Sequence, residues 1–544
     1  MNLQAVFAYM QEKNITLAVD DGELVVRAAQ GVIDSKVMAL LKQHKHELLV
    51  ALQQDQAARV SEDGAQQQVL PIKITPDMLP LVDLTQEQID RIMLSVPQGV
   101  ANIQDIYPLA PLQEGILFHH LLETEGDTYL LRSVVAFEKR KGLDDFLAAL
   151  QTVINRHDIL RSAVYWQYLP QPVQVVYRQA SLCIEELSLV GEDDALQQLL
   201  NHTDPRHLRL DLQQAPLLAA YIVADPHSDE WLLALLSHHI VCDHISLELI
   251  IAEIQMLLQG RGDKLPASLP YRDFIAQARS VSPAEHEAYF RRQLGDINEP
   301  TAPFERLNVQ GSGEPVIEAS LTLSDDLAQR IRDNARQQGV TAAVLFHAAW
   351  AQVLAQCTGR EDVVFGTVLS GRLQGSAGAD RALGMFINTL PIRVSQADGS
   401  VGQIVGETYR CLSELLIHEQ ASLALAQRCS GVAASMPLFT TLLNYRHSHK
   451  TDGPLDWNGM RIIRNGEERT NYPVTVSVDD FGQGFGLTAQ CVQGIDPERI
   501  AAYLGTAIEA LVNALAKNPQ ALLGTLNILP SAERRQLLVE FNDT

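Results

Sequence analysis

Residues 235–249 read Leu235-Leu236-Ser237-His238-His239-Ile240-Val241-Cys242-Asp243-His244-Ile245-Ser246-Leu247-Glu248-Leu249. An apolar run ends at two histidines, and Asp243 or Ser246 then offers an N-cap to a helix reaching about Leu258. A strand-to-helix junction projects side chains from a rigid edge into a cleft. There an imidazole, whose ordinary pKa of about 6.5 lies near working pH, can serve as general base toward an amine or a hydroxyl. Three readings fit these residues taken alone. His238, His239 and His244 can be ordinary polar groups closing a buried strand. His238, His239, Asp243 and His244 can form a metal site, although neighbouring histidines on a strand point to opposite faces and must bend to share an ion. The third is acyl transfer, with a histidine as base to the attacking group.

The elements that must position this segment are alternating strands and helices. Runs such as Trp231-Leu-Leu-Ala-Leu-Leu and Val363-Val-Phe-Gly-Thr-Val-Leu alternate with helical stretches at 246–258, 324–338 and 340–356. This describes an α/β protein of about 460 residues, too large for one core, and predicts two lobes. A polar, proline-bearing stretch near 260–315 marks the change, with lobes at 71–270 and 271–528.

The first 70 residues are set apart, because all 24 prolines fall at or after Pro71. Leu3, Val6, Phe7 and Met10 follow helical spacing, and Ile15-Thr-Leu-Ala-Val and Glu23-Leu-Val-Val-Arg-Ala flank Asp20-Asp21-Gly22 as a hairpin. Asp34-Ser35 then caps one or two helices through Leu52. The result is a small α-β-β-α(α) unit over residues 1–52, near the lower size limit for an independent core. Residues 53–70, rich in Gln, Asp, Glu, Ala and Ser, read as a flexible linker.

Composition bounds the function. The chain has 544 residues, 46% hydrophobic and 20% charged, and is globular. Its 42 Lys and Arg against 66 Asp and Glu give a net charge of −24, which repels nucleic acid and anionic membranes at long range. The 6 cysteines are scattered with no C-x-x-C pair, consistent with reduced thiols in cytoplasm. No signal sequence is recognisable, and no apolar run approaches the roughly 20 residues of a spanning helix.

The histidine segment resembles the HHxxxDG motif of condensation domains from nonribosomal peptide synthetases. Other motifs of that family follow in order. Tyr107-Pro-Leu-Ala-Pro-Leu-Gln-Glu-Gly-Ile-Leu-Phe-His119 resembles the first and Arg156-His-Asp-Ile-Leu-Arg161 the second. Gly359-Arg360-Glu-Asp-Val-Val-Phe-Gly-Thr-Val-Leu-Ser-Gly-Arg372 resembles the fifth, and Met385-Phe-Ile-Asn-Thr-Leu-Pro391 and Asn471-Tyr-Pro-Val-Thr-Val476 the last two. Residues 1–52 are similar to N-terminal docking domains of the tubulysin-synthetase type. Residues 529–544 look like the connection into an adenylation domain, so the sequence is expected to be a piece of a larger synthetase.

The resemblance implies two chloramphenicol-acetyltransferase-like lobes forming a V-shaped domain, with the histidine motif in a tunnel between them. Donor and acceptor thioesters arrive on the phosphopantetheine arms of carrier proteins, and no metal or covalently bound cofactor is implied. The catalytic residues are expected to be His239, as base or positioner of the amine, with His238 beside it. Holding two tethered reactants in line can contribute roughly 7–11 kcal/mol, so positioning can outweigh proton transfer. Asp243 is expected to be structural and paired with an arginine. Arg360 is the preferred partner and Arg156 the alternative. His244 stands where the motif has glycine, adding bulk and a titratable group near the tunnel. Pro-Leu-Gln-Glu-Gly-Ile-Leu-Phe-His is more like domains whose donor ends in a D-residue. The docking unit is expected to take the C-terminal tail of an upstream synthetase by strand addition, with Arg27, Lys36, Lys42 and Lys45 facing its acidic residues.

Rival readings are a coenzyme A-dependent acyltransferase of the same superfamily and a catalytically silent docking or scaffold module. Asp480-Phe-Gly-Gln-Gly484 has a passing likeness to the DFGWG motif of the former, without its Trp. An epimerization domain would follow a carrier protein, and a heterocyclization domain would carry an aspartate pair in place of His238 and His239.

Overall fold

The computed structural model describes residues 16–20, 23–27, 73–191, 194–309, 316–372, 381–396, 399–447, 459–464 and 471–542. The chain divides into two compact units, Met1–Ile72 and Lys73–Thr544. In the first, strands β1 (Thr16–Asp20) and β2 (Glu23–Arg27) pair antiparallel, from Thr16 opposite Arg27 to Asp20 opposite Glu23. The sequence hairpin is therefore present. The flanking helices expected on either side, the linker 53–70, and Lys36, Lys42 and Lys45 lie outside the described residues.

The second unit begins with α1 (Gln86–Ser95), β3 (Ile103–Pro108), α2 (Pro111–Leu122), β4 (Leu130–Phe137) and α3 (Arg140–Arg156). It continues through β5 (Ser162–Tyr165), β6 (Val173–Tyr177), β7 (Cys183–Glu186), α4 (Ala195–His202), β8 (Leu218–Ala224) and β9 (Trp231–His238). After a 3-10 turn at His239–Val241 come α5 (His244–Leu258), α6 (Tyr271–Ala278) and α7 (Pro283–Leu294). Then follow β10 (Val316–Thr322), α8 (Asp325–Gln338), α9 (Ala342–Thr358), β11 (Asp362–Leu369), β12 (Asn388–Ser395), α10 (Val401–Ile417) and α11 (Leu423–Arg428). The last elements are β13 (Thr441–His447), β14 (Met460–Arg464), β15 (Val474–Asp480), β16 (Phe485–Val492), α12 (Pro497–Lys517) and α13 (Ser531–Leu538).

Two sheets carry the two lobes. A five-stranded sheet in the order β14-β4-β9-β8-β7 lies in the first, and a six-stranded sheet in the order β10-β16-β15-β13-β11-β12 lies in the second. Along β16, Phe485, Leu487, Ala489 and Cys491 are fully buried and the residues between them are not, the period-2 signature of a strand with one face on a core. The all-apolar face of α9, including Phe346 and Trp350, fills the middle of that core.

The first core is completed by residues from the second lobe. Ala382, Leu383, Met385 and Phe386 belong to the same buried cluster as α3, β9 and α6. Strand β14 joins the far edge of the first sheet, with Met460 opposite Phe137. Helix α6 also packs in the first core, through Tyr271, Phe274 and Ile275, whereas Tyr289 and Phe290 of α7 lie in the second. Packing thus passes from the first core to the second between α6 and α7. The reason is the Tyr271 ring, which the crossing segment covers: its hydroxyl donates to the Met385 carbonyl at 2.5 Å.

Helix α12, 21 residues long, meets the length and mean hydropathy of a membrane span by those two criteria alone. Its apolar side, including Ile500, Leu504, Ile508 and Leu511, is buried in the second core, the ordinary reason for such composition in a packed helix.

Candidate active site

Strand β9 brings the histidines to the interface of the lobes. In its antiparallel pairing with β4, Leu130 stands opposite His238, so both strands end at the same level. The backbone N–H of His239 then donates to the Tyr129 carbonyl at 2.8 Å, and the chain turns through His239–Val241 into α5. Gln113, fully buried on α2, fixes that turn by donating to the Ile240 carbonyl at 2.7 Å. This is the role the structure gives to the glutamine of the first motif.

Adjacent strand-end histidines point apart, and here their environments differ. His238 is fully buried; its Nδ1 accepts from the Ile240 N–H at 3.1 Å, so the proton is on Nε2, which faces Asp127 Oδ2 at 3.0 Å. Burial pushes its pKa down, against the opposing pull of Asp127. His239 is half-buried, and its Nδ1 lies 2.7 Å from the Cys242 carbonyl. A carbonyl only accepts, so Nδ1 carries the hydrogen and Nε2 keeps its lone pair. The neutral His239 ring is therefore held in one tautomer, whereas His238, expected beside it as a catalytic group, is enclosed and bonded to the loop.

Asp243 is the N-cap of α5: its Oδ1 accepts from the Ser246 N–H at 2.8 Å. Its carboxylate also receives Arg372, whose guanidinium reaches both oxygens at 3.0 Å. Both side chains are buried, at 0% exposure for Asp243 and 7% for Arg372. The guanidinium lies 3.9 Å above the Phe386 ring and donates to the Ala382 carbonyl at 2.7 Å. Ser246 Oγ closes the arrangement at 2.9 Å from both the amide nitrogen and the carbonyl of Gly384. One carboxylate thus caps a helix of the first lobe and holds an arginine and a crossing loop of the second.

The expected pairing with Arg360 is incorrect. Arg360 donates to Glu299 and to the Pro300 carbonyl on a partly exposed face of the second lobe, because it stands before β11 while Arg372 follows it. The alternative, Arg156, pairs with Glu253 at 3.0 Å. The partner belonged to the same fifth-motif segment, at its Ser-Gly-Arg372 end. His244 occupies the first helical position of α5, half-buried, in helical backbone that does not require the motif glycine.

Sequence reasoning missed four contributors: Asp127, His120, Tyr129 and Asn471 as a contact. Asp127, at 2% exposure, receives His120 Nδ1 at 2.6 Å as well as His238. Burial acts to raise the Asp127 pKa, but the two imidazole donors overcome it and hold the carboxyl well below the usual carboxylate range. Asn471 Nδ2 reaches the Tyr129 hydroxyl at 3.3 Å, which joins the last motif to the residue that anchors His239. Asp127 sits in the polar stretch Glu123–Thr128, where no periodicity or motif marks it. His120 follows the first motif and Asn471 opens the last, so those positions were marked but not their contacts.

Comparison with known proteins agrees with this architecture. A profile of the Condensation domain family matches residues 103–538, and one of the TubC N-terminal docking domain matches residues 5–54. Malpinin synthetase of Mortierella alpina is 48% identical over 479 residues, covering 87% of this chain and 6% of that protein. Tyrocidine synthase 3 of Brevibacillus parabrevis is 26% identical over 461 residues, covering 81% of this chain and 7% of that protein. The chain therefore spans less than a tenth of the length of these relatives. Among solved structures, the first condensation domain of the calcium-dependent antibiotic synthetase, in complex with a substrate analogue, superposes with a TM-score of 0.58 at 18% identity, covering 79% of this chain and all (100%) of that one. A four-domain nonribosomal peptide synthetase bound to AMP and glycine gives a TM-score of 0.62 at 15% identity, covering 79% of this chain and 34% of that one. The chain belongs to the condensation-domain family of nonribosomal peptide synthetases, which form the peptide bond between carrier-bound substrates, and carries a TubC-type docking domain ahead of it.

Proposed function

We propose that this chain joins an upstream donor, an aminoacyl or peptidyl thioester, to the amine of a downstream aminoacyl thioester, with His239 as the group that receives the amine. The observation that carries this is the tautomer of His239: Nδ1–H is committed to the Cys242 carbonyl, which leaves Nε2 as an acceptor at the junction of the lobes. The amine nitrogen forms a bond to the donor carbonyl carbon as its proton passes to His239 Nε2. The carbon–sulfur bond breaks, and the proton leaves with the thiol of the donor's phosphopantetheine arm. A positioned base of this kind contributes about 10²–10⁴-fold. The arms belong to the carrier proteins, and no cofactor resident in this chain enters the step.

The resemblance of the first motif supports a donor ending in a D-residue. The TubC-type match and the β1–β2 hairpin support recruitment of an upstream synthetase tail by strand addition, with Arg27 at the end of β2 and Lys36, Lys42 and Lys45 as its acid-facing charges. The exposed apolar residues Leu538, Val539 and Phe541, at the end of α13 and just beyond it, support an adenylation domain following in cis. The cysteine pattern supports a cytoplasmic setting.

The test loads donor and acceptor carrier proteins, adds the chain, and follows peptide on the acceptor by intact-protein mass spectrometry. Peptide formation that falls at least about a hundredfold in His239→Ala is the expected result; a variant as fast as wild type overturns the assignment. Titration of the full chain with upstream C-terminal peptides tests docking. Charge reversal at the four basic positions should weaken binding, and no binding by any candidate tail removes that part of the proposal.

A further inference from the structure

The buried cluster of His120, Asp127 and His238 joins the first motif histidine to two residues that the motif resemblance gives no role. Asp127 is fixed first by its own backbone. Its N–H donates to the Pro205 carbonyl at 2.8 Å, and Gly126 before it, at φ 69°, leaves no room for a side chain, since a Cβ would lie 2.2 Å from the Arg206 carbonyl oxygen. From that anchored point the carboxylate sends out two arms. Oδ1 accepts from the Tyr129 N–H at 2.9 Å, and the Tyr129 carbonyl accepts from the His239 N–H at 2.8 Å. Oδ2 accepts from His238 Nε2, and His238 Nδ1 accepts from the Ile240 N–H. The two arms therefore end on the backbone of His239 itself and of the residue after it.

Three groups of this kind can collect a divalent cation. Here, however, the Ile240 N–H occupies His238 Nδ1, so the proton is on Nε2, the atom a metal would need; the arrangement is a hydrogen-bonded one.

We infer that Asp127 is a positioning residue for the condensation reaction: it selects the Nε2–H tautomer of His238 and, through Ile240 and Tyr129, sets the aim of His239. The inference rests on the reading of His239 as the base. Both rings reach Oδ2 and the Tyr129 N–H reaches Oδ1, so an amide at position 127 serves only one side. With its oxygen toward Tyr129, its N–H groups confront the rings, and His238 moves its proton to Nδ1 and releases Ile240; with its oxygen toward the rings, the Tyr129 arm to His239 is broken. In a catalytic triad the wrong histidine tautomer costs about 10⁴-fold in turnover, which sets the scale for a base that loses its aim.

The experiment compares wild type with Asp127→Asn in the full chain, using a donor carrier loaded with D-phenylalanine and an acceptor carrier loaded with L-leucine, and records histidine ¹⁵N resonances of both proteins, with His238 assigned by its loss in His238→Gln. The expected result is a turnover at saturating acceptor reduced at least about a hundredfold, half-saturation changed by less than about threefold, and the His238 or His239 ring resonances displaced. Turnover within about threefold of wild type, a loss wholly in half-saturation, or His238 and His239 resonances both unchanged overturns the inference. Should Asp127→Asn fail to fold, His120 decides. His120→Asn supplies an amide N–H in place of Nδ1 and should turn over at least about tenfold faster than His120→Leu; equal turnover in both overturns the inference. If wild type forms no dipeptide, the functional reading is what fails, and the His238 and His239 resonances of Asp127→Asn still decide the role of Asp127.

Discussion

Arg372 holds Asp243 with both carboxylate oxygens 3.0 Å from a single guanidinium nitrogen, across the boundary between the two lobes. The same carboxylate caps α5, so the lobe contact and the loop that carries His239 share one anion. Where Arg372 is supplied by the crossing segment, the site exists only when the lobes are assembled.

Breaking that pair leaves one charge buried and alone. Asp243→Ala or Arg372→Ala should cost about 3–5 kcal/mol in chemical denaturation. Arg360→Ala, on its partly exposed face, should cost no more than about 1 kcal/mol. Equal effects at Arg360 and Arg372 would contradict the assignment.

Gly384 stands where the crossing loop passes Tyr271. At φ 151°, a Cβ there would lie 2.3 Å from the Tyr271 ring, and the Tyr271 hydroxyl is tied to the Met385 carbonyl. Gly384→Ala should therefore displace the loop, destabilise the fold by about 1–3 kcal/mol and lower condensation along with it. A melting temperature unchanged from wild type would show that the loop has room to move.

Glu419 gives stability a pH dependence of known sign. The side chain is 3% exposed, and burial raises its pKa to about 7, offset in part by the Gly371 N–H. A carboxyl with a raised native pKa binds more protons when folded, so its contribution is full below the unfolded value and is lost as pH rises through about 7. Glu419→Gln removes the penalty without removing the acceptor. It should match wild type near pH 5 and exceed it near pH 8 by up to about 3 kcal/mol, read by thermal melts at the two pH values. The opposite order would show that Glu419 is stabilised as the anion.

His244 tests whether the missing motif glycine matters. In helical backbone at the first position of α5, His244→Gly should cost about 0.5–1 kcal/mol by freeing the unfolded chain. A condensation rate changed by less than about threefold would show that the helix, rather than space for substrate, decides this position.

What the sequence determined is what neighbours in the chain decide. The strand ending at His238 and the Asp243 cap follow from hydrogen bonds and burial within a few residues, and the β1–β2 pair from two apolar runs close together in the chain, so all three were legible. The ordered motifs carried the family for the same reason. Tertiary structure decided the partners. Arg360 and Arg372 lie in one motif, and only the passage of the chain out of β11 into the first core places Arg372, 129 positions from Asp243 in sequence, against the carboxylate. Tyr271 enters the first core, whereas a proline-bearing stretch marks a loop and says nothing of which core a ring enters. Asp127 was invisible altogether: a lone acid in a polar loop acquires meaning only when burial removes water and leaves two imidazoles as its donors.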